Sequence, residues 1–160
     1  MSSIVFADKE PAELPPALAQ ITAGAFWPPV NLVDVRAAVR IDHTVTHERL
    51  HYAATAAVVY VNQQLAAFQA AMLQKGIAAL VQISPQAQIN GITVAEHHYR
   101  RAVYSYTKAE LLETYADYDA TGKSADRAEA KQEQADDYRR EAHGAIADLL
   151  GRARTNCELI

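Results

Sequence analysis

Three histidines recur at four-residue intervals in the segment RIDHTVTHERLH (residues 40–51), a spacing that would suit a metal site on a helix. On a continuous helix His43, His47 and His51 would share one face, because side chains four residues apart stack along a helix. Three imidazoles on one face could bind zinc or iron. The metal hypothesis therefore requires a single helix that runs through all three histidines.

The residues between the first two histidines predict a helix boundary instead. Thr44-Val45-Thr46 is β-branched throughout. Thr46 is a suitable N-cap for a new helix, and Glu48 in its first turn would be favoured by the helix dipole. His43 then ends one helix, while His47 and His51 belong to the next. We predict that these histidines are surface residues at a helix junction and that the protein has no metal and no cofactor.

One catalytic alternative stays open, a small metal-dependent helical-bundle enzyme that uses His47, His51 and Glu48. Glu48 and His51 form one Glu-x-x-His unit, but a di-iron bundle needs that unit twice and two further glutamates. Glu96-His97-His98 and Glu141-Ala142-His143 both have the wrong spacing. The sequence also lacks a Gly-rich phosphate loop and a serine nucleophile elbow. We therefore predict a protein that is not an enzyme.

Helix start signals and the lack of a strand pattern predict an all-α chain. Asn31 can cap a first helix that runs to about Asp42, and Thr46 can cap a second helix that Gly76 ends. No segment shows the alternation of a β-strand.

The second half of the chain predicts two more helices after a long connection over residues 77–92, which contains the turn pair Asn90-Gly91. Thr93-Val-Ala-Glu96 is a capping box that begins the third helix. Thr121-Gly122 ends it, and a fourth helix begins near Ser124. The predicted fold is a four-helix bundle (residues 27–154) with an extended N-terminal arm (residues 1–26) and a C-terminal tail (residues 155–160).

Composition and charge describe an ordinary globular chain. The 160 residues are 50% hydrophobic and 21% charged, with a formal net charge of −4. This balance gives no global attraction to nucleic acid or to an anionic membrane. The single cysteine, Cys157, excludes an intrachain disulfide and a thiolate metal site, and a reducing cytosol is the expected setting. We expect no signal peptide, because no basic start with a long apolar run follows Met1.

Residues 52–74 contain no charged side chain, which is long enough to cross a bilayer. The central amides Asn62, Gln63 and Gln64 favour a helix buried in a bundle over a membrane span. A helix without a charged face is usually covered on both sides, so we expect a neighbouring subunit to cover its reverse face. This predicted subunit interface consists of Tyr52, Ala56, Val59, Gln63, Ala66 and Ala70.

The only tryptophan lies in the motif Phe26-Trp27-Pro28-Pro29, beside a stiff diproline. We interpret it as an aromatic anchor that fixes the arm to the bundle.

From about Phe26 to Ile160 the order of these features resembles the phage head completion proteins, the GPL family of contractile-tailed phages. The histidine triplet is not part of the family's pattern. The resemblance rests on the motifs Phe26-Trp27-Pro28, Arg40-Ile41-Asp42-His43-Thr44-Val45, Arg49-Leu50, Asn90-Gly91, Tyr99-Arg100-Arg101-Ala102-Val103, and Cys157 near Ile160.

The resemblance implies a structural head-to-tail adaptor in the neck of the virion, assembled in the host cytoplasm. Its partners would be the portal protein, tail or neck proteins and further copies of itself in a dodecameric ring. The ring would retain packaged DNA, which passes through without specific binding, and would give the tail a docking surface; no membrane is involved. The resemblance also implies a C-terminal segment that reaches into the portal, here Thr155, Asn156, Cys157, Glu158, Leu159 and Ile160.

Overall fold

A computed structural model describes residues 19–120 and 125–152, with side chains over 19–115 and 128–152. The helices are α1 (Leu32–Ala38), α2 (His47–Gln64), α3 (Ala66–Gln74), α4 (Val94–Ala120) and α5 (Ala125–Leu149), with a 3₁₀ turn at Leu80–Gln82. The two long helices α4 and α5 pack side by side in opposite directions, and α2 packs against α4. The short strands are β1 (Gln20–Ile21), β2 (Val30–Asn31), β3 (Gln88–Ile89) and β4 (Ile92–Thr93).

Hydrogen bonds confirm three of the predicted helix starts, at Asn31, Thr46 and Thr93. The Val33 N–H donates to Asn31 Oδ1 at 2.8 Å, and the Arg49 N–H donates to the Thr46 hydroxyl at 3.4 Å. At the capping box the Thr93 N–H donates to Glu96 Oε2 (3.1 Å), while the Glu96 N–H donates to the Thr93 hydroxyl (3.3 Å). These bonds satisfy backbone donors that have no partner within the helix.

The first helix is shorter than predicted, because α1 ends at Ala38 rather than near Asp42. Arg40 adopts a left-handed conformation (φ 50°), and the Ile41 N–H donates back to the Arg36 carbonyl at 3.0 Å. This is the hydrogen bond of a Schellman C-cap, with arginine at the position that glycine usually occupies. The Arg36 guanidinium also donates to the carbonyls of Asp42 and Val45, at 2.8 and 2.9 Å. Residues 40–46 are therefore a loop held against the end of α1.

The second predicted helix is divided in two. Leu65, with φ −98° and ψ 5°, separates α2 from α3, and its side chain is fully buried. Gly76 ends α3 as predicted, with φ 79° and a hydrogen bond from the Ile77 N–H to the Met72 carbonyl at 3.0 Å.

The prediction that no strand forms is wrong for two short antiparallel pairs. Strands β3 and β4 flank Asn90 (φ 52°) and Gly91 (φ 76°), and two left-handed residues in sequence make the hairpin turn that Asn-Gly favours. Strand β1 pairs with β2, so residues 20–21 of the predicted arm are ordered against the start of α1. Two-residue strands are too short to show an alternating pattern. The fold is mainly α, but it is not simply a four-helix bundle.

The predicted aromatic anchor is confirmed, and it lies inside the core. The Trp27 ring stacks on Tyr99 of α4, with 4.9 Å between ring centroids and 12° between planes. Phe26 contacts Trp27 edge-on at 4.8 Å. The Tyr99 hydroxyl donates to Asn62 Oδ1 of α2 at 3.0 Å, and burial raises the pKa of this hydroxyl. One aromatic stack thus joins the segment before α1 to both α2 and α4.

We expect Trp27→Ala to lower the free energy of unfolding by about 3–5 kcal/mol, because it removes a large ring that is 5% exposed. Urea denaturation followed by circular dichroism measures this change. The matched control is Tyr52→Ala, since Tyr52 is 80% exposed, and its effect should stay within about 0.5 kcal/mol. Equal losses in the two variants would show that the stack is not a centre of the core.

Candidate functional site

The histidine segment does not form one helical face. His43 is exposed in the loop after α1, whereas His47 is the first residue of α2 and His51 lies one turn further on. The predicted helix boundary is therefore confirmed, although His43 lies in a loop and does not end a helix. Within residues 19–115 and 128–152, no group of three or more His, Cys, Asp and Glu side chains could hold a metal ion.

The two acidic residues of this segment accept hydrogen bonds at the start of α2 and in the loop before it. The Glu48 carboxylate accepts from its own N–H and from the Thr46 hydroxyl, and both bonds lower its pKa at the start of α2. Asp42 accepts from the Thr44 N–H at 2.8 Å, which lowers the pKa of Asp42. Carboxylates in these positions stabilise the turn and the helix terminus. The arrangement gives no support to a metal site built on His47, His51 and Glu48.

The predicted interface face of the second helix is exposed in the single chain. Tyr52 is 80% exposed and Val59 is 50% exposed, while Ala56 between them is half-buried. Gln63 continues the same face of α2, and the remaining two residues, Ala66 and Ala70, are exposed on α3 after the break at Leu65.

The opposite face of α2 is buried within the chain. Its core residues are Leu50, Ala53, Ala54, Ala57, Val58 and Val61. The fold therefore covers one side of this helix and leaves an uncharged side in water. We call the set of residues on this uncharged side the α2–α3 face, which consists of Tyr52, Ala56, Val59, Gln63, Ala66 and Ala70.

The predicted portal-binding tail, Thr155, Asn156, Cys157, Glu158, Leu159 and Ile160, lies outside the described residues. Most of the predicted arm, residues 1–18, does so as well.

Sequence reasoning missed the ion pairs that join α4 to α5. Arg101 Nε donates to Glu141 at 3.0 Å, and the Arg139 guanidinium makes a two-pronged contact with Glu113. The structure places Arg101 against the neighbouring helix. Pairs 26 and 40 residues apart leave no periodic signal in the sequence.

A stacked aromatic pair was also missed. Tyr60 of α2 lies on Tyr106 of α4 with 4.2 Å between centroids, and His143 of α5 meets Tyr60 edge-on at 6.0 Å. Three helices therefore meet at one aromatic cluster.

In the part of the chain that the structure describes, no helix combines the length and the hydropathy of a membrane span. The uncharged stretch of residues 52–74 is divided between α2 and α3.

Comparison of the sequence with known proteins identifies a family. The model of the phage head completion proteins (GPL) matches residues 21–160. The head completion/stabilization protein of Escherichia phage P2 is 27% identical over 129 residues, which cover 81% of this chain and 76% of that protein. No solved structure matches.

Replacing all three histidines (His43→Ala, His47→Ala, His51→Ala) should change the free energy of unfolding by less than about 1 kcal/mol, because each side chain is at least partly exposed. Protein prepared without an affinity tag should contain no stoichiometric zinc or iron by elemental analysis. Metal at one equivalent in the unmodified chain and its loss in the His51→Ala variant would contradict the surface interpretation.

Proposed function

The chain belongs to the family of phage head completion proteins, and we propose that it acts as the adaptor ring between the portal and the tail. Membership in the family gives it a structural role in completing the phage head. In the proposed role, copies of the chain form a homo-oligomeric ring beneath the portal, a dodecamer by the same resemblance, which retains packaged DNA and offers a surface to tail or neck proteins. The observation that carries the proposal is the family match over residues 21–160.

The α2–α3 face supports the ring as the contact between subunits. An exposed surface with no charge over residues 52–74 is unusual on a chain in which 21% of the residues are charged. Charge-poor surfaces with aromatic residues are typical of the centres of protein interfaces. Small residues such as Ala56 and Ala66 would allow a neighbouring backbone to approach closely. We propose a second copy of the chain as the occupant of this face.

The charge of the chain supports a ring that lets DNA pass. The formal net charge of −4 disfavours continuous contact with phosphates. Many weak contacts around a closed ring would add by avidity, so the isolated chain would be a monomer or a mixture of states.

We further propose that residues 155–160 bind the portal. Leu159 and Ile160 are branched apolar residues at a chain end, and burying each would contribute about 1.5–3 kcal/mol before the entropy cost of ordering the tail. The division into an arm (residues 1–26), an adaptor domain (27–154) and a tail (155–160) is part of this proposal. So are assembly in the host cytoplasm and a final location in the neck of the virion.

We expect Ala56→Glu and Ala66→Glu to block ring formation, because each would bury an unpaired charge at a cost of about 3–5 kcal/mol. The measurement is the yield of completed heads in an assembly reaction, together with the amount of adaptor bound to portal-containing heads. The matched control is Ala130→Glu, since Ala130 is exposed on the charge-rich α5. Normal yields from both variants would place the subunit interface elsewhere.

Deleting residues 155–160 tests the tail. We expect an unchanged melting temperature but filled heads that leak DNA, because the tail would contribute only to the contact with the portal. Leu159→Ser with Ile160→Ser keeps the length of the tail and should show the same leakage if the apolar side chains make the contact. A large fall in melting temperature on deletion would instead assign the tail to the core of its own subunit.

A further inference from the structure

A small cleft lies where the loop after α1 meets α4 and α5. Its volume is about 260 Å³. Three of its apolar lining residues, Ile41, Val45 and Leu111, are each only 6% exposed and form a rigid wall. A space of this size admits one side chain or a small organic acid.

Positive charge gathers around this cleft although the protein as a whole is acidic. Among the described residues that line it, Arg40, Lys108 and Lys131 are cationic and Asp42 is the one carboxylate. That carboxylate already accepts a hydrogen bond from the Thr44 N–H at 2.8 Å. The described lining of the cleft therefore has more cationic than anionic side chains.

Lys108 is a half-buried cation of this cleft with one carbonyl partner. Its ammonium donates to the Arg40 carbonyl at 3.2 Å, and among the described residues no carboxylate oxygen lies within 4.0 Å of it. Burial lowers the pKa of Lys108, while the charge of Asp42 acts in the opposite direction. A half-buried ammonium with one carbonyl partner is stabilised by an added anion.

Tyr115 gives a second, independent sign of a missing partner. Tyr115 lines the same cleft, and its hydroxyl is buried and has no hydrogen-bond partner within the described structure. Buried hydroxyl groups in folded proteins almost always have a partner, so an exception needs an explanation. An acceptor group in the cleft beside Tyr115 would supply the partner that this hydroxyl lacks.

We propose that the cleft binds a carboxylate on a short apolar stem, supplied by an acidic side chain or a free chain end of a partner protein. The cations and the Tyr115 hydroxyl match the carboxylate oxygens, and the apolar wall matches the stem. A phosphate dianion would meet Asp42 at close range without using the apolar wall. Binding of the carboxylate can be tested on the isolated chain, so it stands or falls separately from the proposed ring.

The first test is an NMR titration of the full chain with isovalerate, isovaleramide and inorganic phosphate. We expect isovalerate to shift the amide signals of Leu111 and Leu112 with a Kd on the order of 1–10 mM. We expect the Kd of isovaleramide to be higher by about tenfold or more. Equal binding of the acid and the amide would overturn the proposal, as would tighter binding of phosphate.

Two variants separate this site from a merely structural cluster. Lys108→Met should weaken isovalerate binding about tenfold, while the matched control Lys75→Met, at the exposed end of α3, should not. Tyr115→Phe should also weaken binding without lowering the melting temperature, because the hydroxyl has no partner in the free chain. Unchanged affinity in both cleft variants would overturn the assignment.

The source of the carboxylate is resolved with two peptides. One carries an internal glutamate between valines and an amidated end; the other ends in valine with a free carboxylate and has no acidic side chain. Competition with isovalerate by the first identifies an acidic side chain, and competition by the second identifies a chain end. If neither peptide competes, the cleft does not serve a protein partner.

Discussion

The Trp27 ring lies flat on Tyr99, and this contact links parts of the chain that are far apart in sequence. The segment before α1 supplies Trp27, α4 supplies Tyr99, and α2 supplies Asn62 as the acceptor for the Tyr99 hydroxyl. A buried hydroxyl without a partner would be costly, so the hydrogen bond fixes how α2 crosses α4. The Leu80 N–H donates to the Phe26 carbonyl at 2.9 Å, which holds the 3₁₀ turn to the same centre.

Charge and apolar surface are separated in the resulting structure. Ion pairs hold α5 to α4, as Arg101 with Glu141 and Arg139 with Glu113 illustrate. Helix α2 uses one face for the core and presents the other, uncharged, to water. The proposed ring would need such a division, because a surface that meets neighbours must release its water easily while the rest stays hydrated. The α2–α3 face has the composition for this role.

The loop after α1 closes the end of that helix and also forms part of the cleft at Lys108. Arg40 in a left-handed conformation allows the Schellman bond from Ile41 and places its own carbonyl against Lys108. The same turn brings Ile41 and Val45 into the core and forms one side of the cationic cleft. The segment that first suggested a metal site thus contributes to a cleft suited to carboxylates, and its histidines are not among the residues that line it.

Features that depend on neighbouring residues could be predicted from the sequence alone. The caps at Asn31, Thr46 and Thr93, the end of α3 at Gly76 and the Asn90-Gly91 turn were all predicted, because each depends on a hydrogen bond or a backbone preference within a few residues. The uncharged surface of α2 was predicted for the same reason, since periodicity assigns the faces of a helix. The order of motifs was enough to identify the family.

Features that join residues distant in sequence could be seen only in the folded chain. Lys108 donates to Arg40 across 68 positions, and Tyr99 donates to Asn62 across 37. The break at Leu65 belongs with these, because its buried side chain packs into the core although the local sequence favours a continuous helix. A helix pattern states which residues face inward but not which residues they meet. The cleft at Lys108 and Tyr115 follows from that meeting, so it could be found only in the folded chain.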